Sequence, residues 1–181
     1  MRDARLFDTE FVNHKNRIFL ISLGAVREDG AELYLENRDF DRDDLIGDWM
    51  RENVMSKLSP PDHAVPYDEI GPAFARFCLE NGPAELWAHY AAHDFVAACD
   101  LYGGMLLMPE GMPKFCMDTK VVSVMTGIAL PSQSGTPNEH HALVDARWGK
   151  LALETLGVPF ARFDPTRDYD LPSAEGPDLS A

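Results

Sequence analysis

Residues 5–35 read RLFDTEFVNHKNRIFLISLGAVREDGAELYL, and the periodicity of this stretch decides the fold. Arg5–Val12 is a predicted strand. Ile18–Val26 is a second, and its unbroken apolar run suits a central strand buried on both faces. Asp29-Gly30 is a hairpin signal, after which Ala31–Leu35 returns as a third strand. The opening third of the chain is therefore expected to be a three-stranded antiparallel meander.

Downstream the period changes from two to that of a helix. Asp43–Lys57 carries Leu45, Trp49 and Val54 at helical spacing and ends at Ser59-Pro60-Pro61. Tyr67–Leu79 is a second amphipathic helix, closed by Asn81-Gly82. Ala84–Tyr90 reads as a buried strand leading into a helix over Asp94–Tyr102, which Gly103-Gly104 stops. Lys114–Met117 is a short strand with a helix after Asp118. A loop rich in Pro, Ser and Gly spans Leu130–Pro137, and a last helix runs to Leu156. A meander followed by strand–helix units predicts an α/β fold, in which parallel strands extend the meander and helices flank the sheet. Trp49, Trp87 and Trp148 fall on apolar faces and are expected in the core.

The 181 residues suit one domain with a full core. We expect that domain over residues 1–163, followed by a flexible acidic tail over 164–181. No apolar run approaches the ~18 residues of a membrane span. The first ten residues carry Arg2, Asp3, Arg5, Asp8 and Glu10, unlike a signal peptide. A cytoplasmic protein without membrane contact is expected. Cys78, Cys99 and Cys116 form no CxxC pair and sit among apolar neighbours, so they are expected to be reduced core residues.

Net charge is −14, which excludes a protein that coats long nucleic acid through a basic footprint. Residues 164–181 hold Asp164, Asp168, Asp170, Glu175 and Asp178 against Arg167, and so account for −4 of that total. This balance suits an enzyme that grips a few nucleotides at one strand end.

Asp8-Thr9-Glu10 is the first constellation able to carry chemistry. Residues i and i+2 of a strand share a face, so both carboxylates project together from an apolar segment. Such a pair repels and loses hydration unless a cation compensates it. The alternative is a polar strand face that simply meets water. Asp94 follows a strand and opens a helix, where an Asp is also a favoured cap. In the last helix, ~3.6 residues per turn bring Asp145 into the arc of Val144, Trp148, Leu151, Ala152 and Leu156. A carboxylate on that inward side needs a metal or a buried cationic partner. His140 and His141 lie just upstream.

Together these residues resemble the DEDDh family of 3′–5′ exonucleases, which have an RNase H-like fold. The order matches: Asp8-x-Glu10 on the first strand, Asp94 after a later one, then His140-x-Ala142-x-x-Asp145. The passages FDTEF (7–11), LWA (86–88), DFVA (94–97), LYG (101–103) and ALVDAR (142–147) are similar to a compact bacterial exoribonuclease group known from mycobacteria. The likeness covers residues 5–156.

The resemblance implies that Asp8, Glu10, Asp94 and Asp145 hold two Mg²⁺ ions (or Mn²⁺) ~4 Å apart, and that nucleoside 5′-monophosphates are released. His140 would be the general base, a task suited to a side chain that titrates near neutrality. A helix beginning at the capping-box pattern Thr136-Pro137-Asn138-Glu139 would instead turn His141 towards Asp145. Both histidines therefore remain candidates, with His140 favoured by the family motif. Phe11 is a candidate to stack on the terminal base or is a plain core Phe, while Glu10 and Thr9 are further candidate substrate contacts. The expected partner is an RNA 3′ end. A DNA end is the alternative, and a non-catalytic nucleic-acid-binding module on the same fold is the other. The family also implies a homodimer.

Overall fold

A computed structural model describes residues 3–59, 64–133, 135 and 138–157; the expected acidic tail lies outside the described residues. The meander forms as the periodicity predicts. β1 (Asp3–His14), β2 (Arg17–Arg27) and β3 (Glu32–Asn37) pair antiparallel in sequence order. The β2–β3 turn closes on Gly30 at φ 89°, with Arg27 N donating to Ala31 O (2.9 Å). β4 (Ala64–Val65), β5 (Ala84–Ala88) and β6 (Met117–Asp118) complete a six-stranded sheet of order β4-β3-β2-β1-β5-β6. β5 pairs parallel with β1, β6 with β5, and β4 with β3. This is the expected α/β mixed sheet, consistent with an RNase H-like fold.

Helices cover both faces. α2 (Tyr67–Leu79) and α3 (Ala92–Asp100) pack Ile70, Phe74 and Ala97 against Phe7, Leu23 and Leu86. Each fully buried side chain of this kind contributes about 1.5–3 kcal/mol. On the opposite face α4 (Thr119–Thr126) and α5 (Ala142–Leu156) bring Val122 and Leu153 against Ala4, Leu6 and Trp87. Gly24 of β2 makes the closest approach there: a Cβ built on it would lie 2.2 Å from Leu143 N of α5. Only a residue without a side chain lets the helix backbone reach the strand.

Several elements differ from the sequence expectation. The single helix expected over Asp43–Lys57 is three pieces: a 3-10 turn at Asp43–Leu45, α1 (Asp48–Asn53) and a 3-10 turn at Met55–Lys57. Gly47, extended at φ −81° and ψ 173°, breaks the first join. Trp49 is consequently 55% exposed rather than in the core, and Trp148 is only half-buried, while Trp87 is buried as expected. The strand expected to reach Tyr90 ends at Ala88, because Tyr90 takes a left-handed φ of 56°. α3 begins at Ala92, ahead of Asp94, so Asp94 lies within its first turn instead of capping it. The strand expected at Lys114–Met117 is the two-residue β6. Leu151, expected on the inward stripe of α5, is exposed; Ala142, Ala146, Gly149, Ala152, Leu153 and Leu156 are the buried positions. No helix starts at the capping-box pattern. Thr136 and Pro137 lie outside the described residues, but Asn138 (φ 64°) and His140 (φ 65°) are left-handed and α5 begins only at Ala142. All three cysteines are free, with Cys78 and Cys99 buried and Cys116 half-buried. No helix among the described residues is long and apolar enough to cross a membrane.

Candidate active site

The register between β1 and β5 creates the site. Pairing covers Asp3–Leu6 of β1 and stops at Leu6 opposite Trp87, so β1 runs on past its neighbour. Asp8 and Glu10 stand in the notch this leaves, at the carboxyl end of the parallel strand, where open α/β sheets place their crevices. A register shift in the β1–β2 pairing falls between Glu10 and Phe11, with Ile21 the extra residue on β2. Such a bulge re-aims the side chains beside it.

Asp94 and Asp145 enter the notch from the two helical layers. Asp94 Oδ1 accepts from Thr9 N (2.9 Å) and Thr9 Oγ1 (2.6 Å), which ties α3 to β1 between the two strand acids. Asp145 arrives because Gly24, the register partner of Asp8, lets the first turn of α5 sit against the sheet. Its Oδ2 accepts from His140 N (3.0 Å) and its Oδ1 from Gln133 Nε2 (2.8 Å). Both aspartates lie in the first turn of a helix, where the backbone dipoles favour negative charge.

A cavity of about 230 Å³ is lined by Asp8, Thr9, Glu10, Phe11, His89, Tyr90, His93, Asp94, His140 and Asp145. It thus brings Asp8, Thr9, Glu10, Phe11, Asp94, His140 and Asp145 to one place, and of the sequence-predicted site residues leaves out His141. His140 lines it, while His141 is turned away and stacks on Tyr34 with ring centres 4.4 Å apart. The left-handed turn at His140 produces this split. Trp49 meets the His140 ring edge-on at 4.9 Å, and Lys57 Nζ donates to Glu139 O, so the α1 segment braces the loop. Phe11 stacks on His93 at 5.7 Å at the cavity wall.

Electrostatics in the notch are those of an uncompensated acidic cluster. Burial, then the Asp94, Glu10 and Asp145 charges, push Asp8 well above the usual carboxylate range. Burial followed by Asp145 and Asp94 raises Glu10 to about 8, against a downward pull from Lys57. Asp94 rises to about 6 through burial, held back by its Thr9 hydrogen bonds. Asp145 is raised by burial against the donors Gln133 and His140. Ligand atoms of Glu10, His140 and Asp145 lie within 4.8 Å of one another. Clustered hard oxygen donors with so little positive charge nearby fit a divalent cation. A larger groove of about 670 Å³ between α2 and β3 lacks this character: its acid, Glu80, is already paired with Arg27.

Residues 4–156 match the 3′–5′ exoribonuclease Rv2179c-like domain. The chain belongs to that family. Two relatives of Mycobacterium tuberculosis carry the same likeness: the 3′–5′ exoribonuclease Rv2179c of strain H37Rv and the 3′–5′ exoribonuclease MT2234.1 of strain CDC 1551. Each is 36% identical over 146 residues, covering 78% of this chain and 85% of the relative. The Rv2179c-like region runs from β1 to the end of α5 and so contains all four acids and His140.

Within this Rv2179c-like domain the cavity also contains side chains that the sequence did not single out. His89, Tyr90 and His93 form its wall, and Trp49 and Gln133 touch its histidine and its last acid. The cluster of two imidazoles and a phenol within five residues after a buried strand was the one available signal for the wall. Nothing local marked Trp49 or Gln133, which reach the site across 91 and 12 positions of chain respectively.

Proposed function

We propose that this chain is a 3′–5′ exoribonuclease of the DEDDh type that hydrolyses terminal phosphodiesters of single-stranded or 3′-overhang RNA, releasing nucleoside 5′-monophosphates. The observation that carries the reading is the convergence of Asp8, Glu10, Asp94, Asp145 and His140 on one cavity in a member of an exoribonuclease family. The four carboxylates would hold two Mg²⁺ ions, with Mn²⁺ a substitute. Bound there, the ions supply Lewis-acid polarisation of the phosphodiester and a lowered pKa for water.

The remaining work falls to the chain's own groups. His140 Nε2 or Nδ1 takes the proton of the attacking water, and Trp49 and Lys57 hold its loop in reach. Glu10 accepts from the terminal ribose hydroxyl as well as binding metal. Phe11, backed by His93, offers a ring to the terminal base. Thr9 keeps Asp94 oriented from the floor of the cavity and lies within reach of the same nucleotide.

This reading takes residues 1–163 as one exonuclease domain working in the cytoplasm as a homodimer. Exposed apolar side chains support self-association: Met125 of α4 is 80% and Leu106 84% exposed, with Leu107 and Val124 beside them in sequence. Digestion of a 3′-overhang RNA and its DNA counterpart, with Mg²⁺ or EDTA, tests the central claim. Stepwise Mg²⁺-dependent release of 5′-monophosphates from RNA, lost in Asp8→Ala, supports it; degradation of neither strand by folded, metal-loaded protein sinks it.

A further inference from the structure

A second cavity, of about 400 Å³, opens beside the first, and His89 lines both. Its other walls are Lys120 and Ser123 of α4, Pro131 and Gln133 of the loop ahead of His140, and Trp148 of α5. Gln133 reaches Asp145 from this loop, so the second cavity begins where the carboxylate cluster ends.

The partition between the cavities is firmly held. Ala91 N donates to Asp118 Oδ2 (3.0 Å), while Asp118 Oδ1 accepts from Lys120 N (2.7 Å) at the start of α4. His89 Nδ1 lies 2.9 Å from Thr119 Oγ1, and the His89 ring stands edge-on to Tyr90 (4.6 Å) and Trp148 (4.7 Å). On this fixed base Tyr90 adopts a left-handed φ of 56° and is 62% exposed. That backbone region is an outlier for a bulky residue, and strain of this kind clusters where a ligand is clamped. The ring meets the His89 edge and otherwise stands largely open to solvent, so core packing does not account for the strain.

One donor stands by the ring, and a second lies on the far side of His89. Lys120 Nζ lies 6.0 Å from the Tyr90 ring centre and forms no ion pair among the described residues, in a chain of net charge −14. Trp148 Nε1 is buried and finds no acceptor among the described residues. An ammonium beside an open aromatic face matches one chemistry, a nucleotide with its anionic phosphodiester.

We propose that the second cavity is the subsite for the penultimate nucleotide of the bound strand. Its base stacks on Tyr90, which lines the carboxylate cavity next to the shared His89, and the phosphodiester on its 5′ side enters the second cavity and meets Lys120. This deepens the exonuclease reading and rests on it: the terminal nucleotide occupies the carboxylate cavity, and the strand leaves past His89. A strand of three or more nucleotides then fills both cavities, so Tyr90 and Lys120 favour oligomers over the shortest remnants.

The test is a cycle between protein and substrate. RNA pentamers carry either a neutral methylphosphonate at the second linkage from the 3′ end or an abasic penultimate nucleotide. With wild-type enzyme each change is expected to lower kcat/KM for release of the first 5′-monophosphate by about tenfold. Lys120→Ala is expected to cost the same on unmodified RNA yet be indifferent to the methylphosphonate. Tyr90→Ala should be indifferent to the abasic site, and Tyr90→Phe should restore both the rate and the sensitivity. Independent, multiplicative losses, or no loss in either variant, overturn the subsite while leaving the exonuclease intact. Wild-type enzyme that releases nothing from unmodified RNA overturns the exonuclease reading itself, and the subsite with it.

Discussion

At the scale of single residues, the division of labour between neighbouring histidines follows from one backbone angle. His140 at φ 65° turns its ring into the cavity, and His141 stacks on Tyr34. His140→Ala is expected to lower kcat by about 10²–10⁴-fold with metal affinity retained, and His141→Ala to leave kcat within a few-fold; single-turnover digestion with a metal titration reads both. Weakened metal binding at unchanged saturated rate would make His140 a ligand instead. Thr9 presents the other residue-level case. Its hydroxyl donates to Asp94 Oδ1 at 2.6 Å, a contact that orients one of the proposed metal-binding carboxylates. Thr9→Val keeps the shape and removes the donor, so cation affinity should weaken about tenfold, as outer-shell partners typically contribute. Isothermal titration with Mn²⁺ checks this, and unchanged affinity would remove Thr9 from the metal's support. Sequence alone made Asp145 the more telling acid, because it falls on the inward arc of the last helix, and left Asp8 and Glu10 open, because a polar strand face can simply meet water. It left Asp94 ambiguous, because an Asp near a helix start has a commonplace structural role.

At the scale of elements, α5 reaches the sheet only because Gly24 has no side chain. The position is opposite Asp8 in the β1–β2 register, and a Cβ there would stand 2.3 Å from Ala142 C as well as against Leu143 N. Gly24→Ala must push the helix outward and carry Asp145 away from Asp8. We expect a loss of about 3 kcal/mol by urea unfolding and a collapse of activity in the fraction that still folds. A stable, fully active Gly24→Ala protein would refute this account of how α5 is seated. The start of α5 was left open by the sequence for a physical reason. Thr136-Pro137-Asn138-Glu139 satisfies local capping chemistry, but the left-handed turns at Asn138 and His140 take the chain to Asp145 and the Lys57 contact instead. The α1 segment broke for a comparable reason: helical spacing of Leu45, Trp49 and Val54 was present, yet Gly47 is extended and releases Trp49 to meet His140.

For the whole molecule, four acids, Asp94 buried and the other three half-buried, converge in a protein that is already strongly acidic, and this sets its response to pH and metal. Glu10 ordinarily titrates near 4.5 and in the folded, metal-free protein near 8. A carboxyl raised on folding favours the protonated native state, so stability is highest at low pH and falls as pH rises between those two values. Asp94, raised to about 6, adds to the same slope. Metal-free protein in EDTA should therefore lose thermal stability from pH 5 to pH 8 over and above its behaviour in Mg²⁺. Cation at about a hundredfold its Kd should restore about 2.7 kcal/mol, a Tm gain of about 5–10 °C at pH 8. Differential scanning fluorimetry across that range decides it, and equal Tm values with EDTA and Mg²⁺ would argue that the acids hold no ion. The meander was legible in residues 5–35, because alternation and a DG turn are local and the strands pair with their sequence neighbours. So was the list of acids and a histidine, since residue types in order survive any folding of the chain between them. What only the tertiary structure decided is where those groups meet and what surrounds them. β1 outruns β5, Gly24 admits α5, Trp49 swings out to His140, and Tyr90 is held strained beside Lys120. Each is a contact between segments far apart in the chain, set by the packing of layers, and no window of neighbouring residues encodes it.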